Sequence, residues 1–247
     1  MGTNSFTARI SWGARADDPA KLAEYLLRTA QALSDLDPMF RSWWVADNLF
    51  EYDFAPLEHA RDQLPAIVEH GVQRDDEDGP EPWGGYYCSI VNSPKDVATG
   101  VGLLMHGGVA KGKRFFGNGC TLSTAYNVVP DPKLVAYPLF KAVMMTMAQV
   151  WGASSATAFS KELSDKRGMP KREADRVFDP AWMTYLSAPM RALVEPPKGV
   201  LCEPTTDGGL LMIAAEQTFD AGNPAHMEAA WAISDALAPI TMKEFFG

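Results

Sequence analysis

Few stretches of this 247-residue chain combine residue types that could do chemistry at the spacing chemistry requires. Gly107-Gly-Val-Ala-Lys-Gly112-Lys113-Arg114 approaches a phosphate-binding loop. Such a loop needs Ser or Thr after its lysine to hold magnesium, and a helix amino terminus behind it to face the phosphates. Arg114 stands in the first of those places, and the following Phe115-Phe116-Gly-Asn-Gly-Cys-Thr-Leu reads as extended, so a hairpin turn is expected. Asp131-Pro132-Lys133 is a fragment of the carboxylate-and-lysine pattern by which nucleases hold a metal and position a water. Asp before Pro is equally the mark of a helix cap with a first-turn proline, and capping explains both residues without further assumption. The histidines (His59, His70, His106 and His226) form no HxH or HxxxH pair that would suit zinc. No Gly-X-Ser-X-Gly elbow occurs, and pairing Cys88 or Cys120 with His106 as nucleophile and base has no support from spacing. Cys88, Cys120 and Cys202 are odd in number and far apart, which suits free buried thiols in a reducing cytosol. No catalytic residue, metal or cofactor is expected.

One polar cluster is different in kind. Asp75-Asp76-Glu77-Asp78, with Glu81 and Trp83 close behind, lies in an aperiodic stretch over 73–85 that reads as loop. Such a run is ordinarily a solvated linker. Its functional reading is a contact surface for a basic protein, since clustered carboxylates steer association with a cationic partner and an adjacent Trp can anchor it. Trp83 could equally tuck into the core. Trp43-Trp44 is read at the end of a helix, ahead of the polar stretch Ala46 to Asp53. The indole that faces solvent there is a second candidate contact, assigned to Trp44.

Composition bounds the answer. Acidic residues outnumber basic ones by 31 to 22, giving a net charge of −9. That balance argues against general nucleic-acid binding, which needs a positive surface to release counterions, and it suits a basic protein partner. A hydrophobic content of 47% and this length allow one large domain over 1–247, or two tightly packed lobes divided at 152/153. The first residues lack a basic region followed by an apolar one, and Phe6 stands where a myristoylation motif needs Ser or Thr. The apolar segment Leu134 to Trp151 is interrupted by Pro138, Lys141 and Gln149, so no membrane span is expected. A cytoplasmic location follows, with oligomeric state left open.

The elements that must position these residues follow from periodicity. Phe6, Ala8, Ile10 and Trp12 alternate with Thr7, Arg9 and Ser11, predicting a half-buried strand. Asp17-Asp18-Pro19 starts a helix that Asp37-Pro38 ends. Pro56 to Gly71 predicts a second helix, with a kink or late start at Pro65. Tyr86–Asn92, Val101–His106 and Phe115–Ala125 read as a strand meander. Asp131-Pro132 then caps a buried helix lasting to Trp151, and Ala156–Phe159 is strand-like. Residues 161–178 fit helix or loop. Trp182–Ser187, Val200–Glu203 and Leu210–Ala215 read as strands, the last two as a hairpin. Asn223-Pro224 caps a final helix with Met227, Ala230, Trp231, Ser234 and Leu237 on one face. The order predicts an α+β fold, mainly antiparallel sheet packed by four to five helices.

Three runs in this order carry a resemblance: Ser11-Trp12-Gly-Ala-Arg15, Asp37-Pro38-Met-Phe40-Arg-Ser-Trp43 and Asp179-Pro-Ala-Trp182-Met-Thr-Tyr185-Leu-Ser187. Together they resemble the immunity protein 52 family of bacterial polymorphic toxin systems. The resemblance implies an α+β protein without catalysis that binds a secreted antibacterial toxin, of a kind often delivered by type VI secretion. The toxins associated with this family carry a restriction-endonuclease-type nuclease domain. The expected mechanism is occlusion of the toxin's basic surface by Asp75, Asp76, Glu77, Asp78, Glu81, Trp83 and Trp44, or a lock on the toxin's fold. The rival readings are a small α+β enzyme with an unrecognised active site, and a scaffold protein.

Overall fold

A computed structural model describes residues 4–48, 51–93, 100–110, 117–125, 128–166 and 177–241. The alternation of residues 6–12 produces β1 (Phe6–Trp12), whose even-numbered side chains are all buried. Asp18 caps α1 (Pro19–Leu36) by accepting a hydrogen bond from the Lys21 amide, and Asp37 ends it with extended backbone ahead of Pro38. The predicted bounds of this helix hold. A 3-10 turn (Pro38–Phe40) leads into β2 (Trp44–Asn48) and β3 (Glu51–Pro56).

That hairpin corrects the reading of Trp43-Trp44 as a helix end and of Ala46 to Asp53 as merely polar; residues 49–50 of that stretch lie outside the described residues. Glu51-Tyr-Asp-Phe54 alternates charged and aromatic types, a strand signal concealed by its polarity. Pro56 fits because β3 is the outermost strand, where no ladder partner needs its missing N–H.

The next helix is broken, as Pro65 requires. α2 (Leu57–Ala60) passes through a 3-10 turn into α3 (Leu64–His70), with Pro65 in the first turn of α3. The meander follows as β4 (Tyr86–Val91), β5 (Val101–Gly107) and β6 (Asn118–Thr124). β5 and β6 pair directly, so the glycine-rich stretch after Gly107 joins two antiparallel strands; residues 111–116, with Lys113, Arg114 and Phe115, lie outside the described residues.

α4 (Tyr137–Trp151) begins later than predicted. Asp131 instead holds a turn, accepting from the Lys133 amide at 2.8 Å, while Lys133 Nζ reaches Asp37. Pro138 sets this start: in a helix running from 132 its ring would strike the carbonyl four residues back, so it is tolerated only in the first turn. Gly152 then ends the helix in the left-handed conformation, φ 60°. β7 (Ser155–Ser160), α5 (Lys161–Lys166), β8 (Met183–Leu186), α6 (Ala188–Arg191), β9 (Leu201–Pro204), β10 (Leu210–Ile213) and α7 (Pro224–Ala236) complete the order. Of the ambiguous segment 161–178, residues 167–176 lie outside the described residues.

Among the described residues, ten strands form one antiparallel sheet in the order β3-β2-β4-β5-β6-β1-β7-β8-β10-β9, which with its helices is an α+β fold. β7 pairs with β1 from Phe6 to Ser11, so the division at 152/153 falls inside a continuous sheet. One face carries the main core, where α1 and α4 meet Ile10, Leu103 and Leu122. At the β8–β10 end the opposite face is also covered. There Leu186, Leu210 and Met212 join Phe178, Met190, Ile233 and Leu237 in a second apolar cluster, while Tyr185, Leu211 and Ile213 belong to the first. On α7 the buried side is His226, Ala230, Ile233 and Ser234, rotated slightly from the predicted face, with Met227 and Trp231 only half-buried.

Candidate partner-binding surfaces

The three anchor runs serve the fold. Trp12 stacks on Trp151 (4.7 Å between centroids), and Arg15 lies over Trp12 and Tyr25 while donating to the Trp151 carbonyl at 3.0 Å. Arg15 also pairs with Asp17, so it fastens the β1–α1 connection to the end of α4. Asp37 caps the 3-10 turn through the Met39 amide, and Phe40 stacks near Trp43. Trp182 is fully buried, stacks on Phe140 at 5.5 Å, meets Phe6 edge-on, and donates from Nε1 to the Ala215 carbonyl at 2.8 Å. Tyr185 donates to Asp207 in the β9–β10 turn, where Asp207 also accepts from Thr205 and the Gly209 amide. Every one of these contacts is internal.

The acidic stretch is a hydrogen-bonded excursion between α3 and β4 rather than an open linker. Amides of Gln73, Glu81 and Tyr87 donate to the carbonyls of Gly85, Gln73 and Gly71, so the two limbs run antiparallel up to a tip at 75–79. The tip separates its carboxylates. Asp75 turns back to accept from the Glu77 and Gly79 amides at 2.9 and 2.7 Å, and fixes the turn. Asp78 takes the left-handed conformation at φ 64° and lies 3.7 Å from the Arg74 guanidinium, which also donates to the Asp78 carbonyl. Asp76 and Glu77 face solvent, and Glu81 is half-buried. Trp83 sits in a 3-10 turn (Pro82–Gly84) and is 42% exposed, which decides between the two readings of its indole.

His106 holds the foot of this excursion. Its Nε2 lies 2.7 Å from the Gly84 carbonyl and its Nδ1 3.0 Å from the Gly117 carbonyl, and its ring stacks on Tyr87 at 4.1 Å. Burial pushes the pKa of this imidazole below its ordinary value, against the two carbonyls, which favour the charged form. Gly85 lets the chain pass here at φ 86°, where an added Cβ would come within 2.5 Å of the Gly107 carbonyl.

Trp44 is elsewhere. It pairs with Val91 at the far end of β4, whereas the acidic excursion leaves from Tyr86. At about 3.4 Å per strand residue these ends are roughly 17 Å apart, so the sequence-predicted residues form two patches. Trp43 is buried, and Trp44, half-buried, is the indole with access to solvent. It lines a groove of about 550 Å³ formed by α1, the segment from Arg41 to Trp44, and Pro56 to Arg61. Arg28, Arg41 and Arg61 border that groove, together with Glu24 and Glu58. Sequence reasoning missed these arginines. Only Arg41 had a signal, its place inside the Phe40-to-Trp43 run.

Among the described residues no His, Cys, Asp and Glu side chains gather as a metal site would need, and no helix is long and apolar enough to cross a membrane. Cys88 and Cys120 are buried free thiols and Cys202 is half-buried; burial pushes the Cys88 thiol up to about 12, far from the reactive range.

No curated protein matches this sequence. Among solved structures the chain is similar to the Pseudomonas aeruginosa T6SS protein PA0821 at a TM-score of 0.52 and 12% identity, covering 96% of this chain and 73% of that one. At that identity the likeness concerns the fold. The pattern of the family described as immunity protein 52 matches residues 4–242, a span that includes all three anchor runs. On that coverage, the chain belongs to the immunity protein 52 family.

Proposed function

We propose that this protein binds and neutralises a secreted antibacterial toxin inside the producing cell, and that the toxin is a nuclease of the restriction-endonuclease type. The chain acts by binding, without catalysis of its own, in the cytoplasm where such a toxin would meet its substrate. The observation that carries the reading is the form of the acidic tip: Asp75 fixes the turn, and Asp76, Glu77 and the 85% exposed side chain of Asp78 are presented to solvent beside an exposed Trp83. A nuclease needs a cationic surface for the phosphate backbone, and carboxylates on a hydrogen-bonded support complement it without first ordering a loop. The charges contribute mainly to rate and orientation, and Trp83 to residence time. Family membership and the T6SS protein of similar fold support the immunity role.

The test is co-expression with the C-terminal nuclease domain of any large secreted protein found to be encoded beside this gene. Cell survival and a stable complex are expected. Asp76→Asn with Glu77→Gln should lower the association rate by about tenfold at low salt and leave dissociation nearly unchanged. Trp83→Ala should accelerate dissociation. Loss of protection by the wild-type protein, or unchanged kinetics for all these variants, would refute the assignment.

A further inference from the structure

The groove beside Trp44 carries the opposite charge from the acidic tip. Arg28 reaches it from α1, Arg41 from the residue after the Pro38–Phe40 turn, and Arg61 from the turn after α2. Of its carboxylates, Glu24 is held by Lys21 at 2.8 Å and Arg28 at 3.8 Å, while the Glu58 side chain is 81% exposed. Arg41 and Arg61 are exposed and lie within 4.0 Å of no carboxylate among the described residues, although, after Lys133, the Arg41 charge helps to lower the pKa of Asp37. In a chain of net charge −9, three guanidiniums against two carboxylates therefore border a concave surface lined by two indoles. Arginine and tryptophan are the residues most enriched where protein interfaces concentrate their affinity. Guanidinium also recognises carboxylate in a planar, two-point geometry that lysine cannot reproduce.

From this charge complementarity we infer that the groove receives an acidic segment of a protein partner, with an apolar side chain against Trp44 and flanking carboxylates on Arg41 and Arg61. The volume suits a few residues of extended chain rather than a helix or a whole domain. β3 ends at the groove in Pro56 and is the outermost strand, so a segment entering here runs along a sheet edge. The inference rests on the partner being a protein, as proposed above, and does not rest on the acidic tip. Taken with that tip, it gives the interface two patches of opposite sign, one towards each end of β4. A partner is thereby fixed in one orientation, because turning it around would set like charges together.

Two measurements separate the readings. In the first, fluorescence anisotropy follows a labelled Glu-Asp-Leu-Phe-Asp-Glu peptide and its counterpart with lysine at every acidic position. The acidic peptide should bind in a salt-sensitive manner and the lysine peptide should not. Arg41→Glu with Arg61→Glu should weaken binding by about tenfold or more, and Trp44→Ala likewise, while Asp76→Asn with Glu77→Gln has no effect. Arg61→Lys, which keeps the charge, should lose less. These positions are exposed or half-buried, so an unchanged melting temperature verifies the fold of each variant. Equal binding of both peptides, binding of neither, or indifference to charge reversal overturns the inference. In the second, the same variants are assayed against the toxin domain. Loss of affinity from the groove variants but not from the tip variants upholds the groove and removes the tip. The reverse pattern removes the groove and leaves the proposed function standing.

Discussion

Trp182 is the best place to test whether the anchor residues serve the fold rather than the partner. Trp182→Phe keeps a ring for Phe140 to stack on and Phe6 to meet, but removes the Nε1–H that satisfies the buried Ala215 carbonyl. Leaving that acceptor unpaired costs about 1–3 kcal/mol. The smaller ring vacates roughly 40 Å³, which at about 24 cal/mol per Å³ adds about 1 kcal/mol if the site, fully buried in the main core, relaxes little. The sum is about 2–4 kcal/mol. For a chain of this size it lowers the melting temperature by roughly 5–15 °C. Circular dichroism during heating and urea titration measure the loss, and at 25 °C the folded variant should bind its partner within about twofold of the wild type. A melting temperature within about 2 °C of the wild type would refute the hydrogen-bond argument. A tenfold loss of affinity at unchanged stability would instead make Trp182 part of the interface.

Three further outcomes follow from the geometry. Because the folded-state pKa of His106 lies below its unfolded value near 6.5, the folded protein binds fewer protons as pH falls through that value. Its contribution is present above the unfolded pKa and lost below it, so the urea midpoint should fall between pH 7 and 5.5, and His106→Gln should flatten that slope. Gly85→Ala forces a Cβ to within 2.5 Å of the Gly107 carbonyl at a positive φ, and should destabilise by about 1–3 kcal/mol with faster amide exchange over 73–85; unchanged exchange would contradict the support assigned to that glycine. Tyr185→Phe removes the hydroxyl held by Asp207 and should cost about 1 kcal/mol, with increased exchange confined to the β9–β10 turn.

The elements that were legible before the structure share one property: a local signal with no competitor. β1 alternates without interruption, and α1 has a capping aspartate at each end, so both appear where residue types place them. α4 was misplaced by five residues, from 132 to 137, because Asp131-Pro132 and Ala136-Tyr137-Pro138 offer two starts, and the second proline decides. β2 and β3 went unseen because polarity concealed their alternation, which at a sheet edge need bury only part of each strand. The acidic cluster was visible as four adjacent carboxylates, but its division into a turn-builder and presented charges depends on which amides fold back onto Asp75.

By itself the sequence determined the class of fold, the family and the sign of the overall charge, because capping, alternation and core aromatics act between near neighbours or through composition. Tertiary structure alone decided where the surfaces lie. It put Trp44 and the acidic tip at opposite ends of β4, buried Trp43 while leaving its neighbour reachable, and brought Arg28, Arg41 and Arg61 from three separate elements to one groove. A concave charged surface is a relation among residues distant in the chain, and only packing of α1 against the Pro38–Phe40 turn and α3 brings these together.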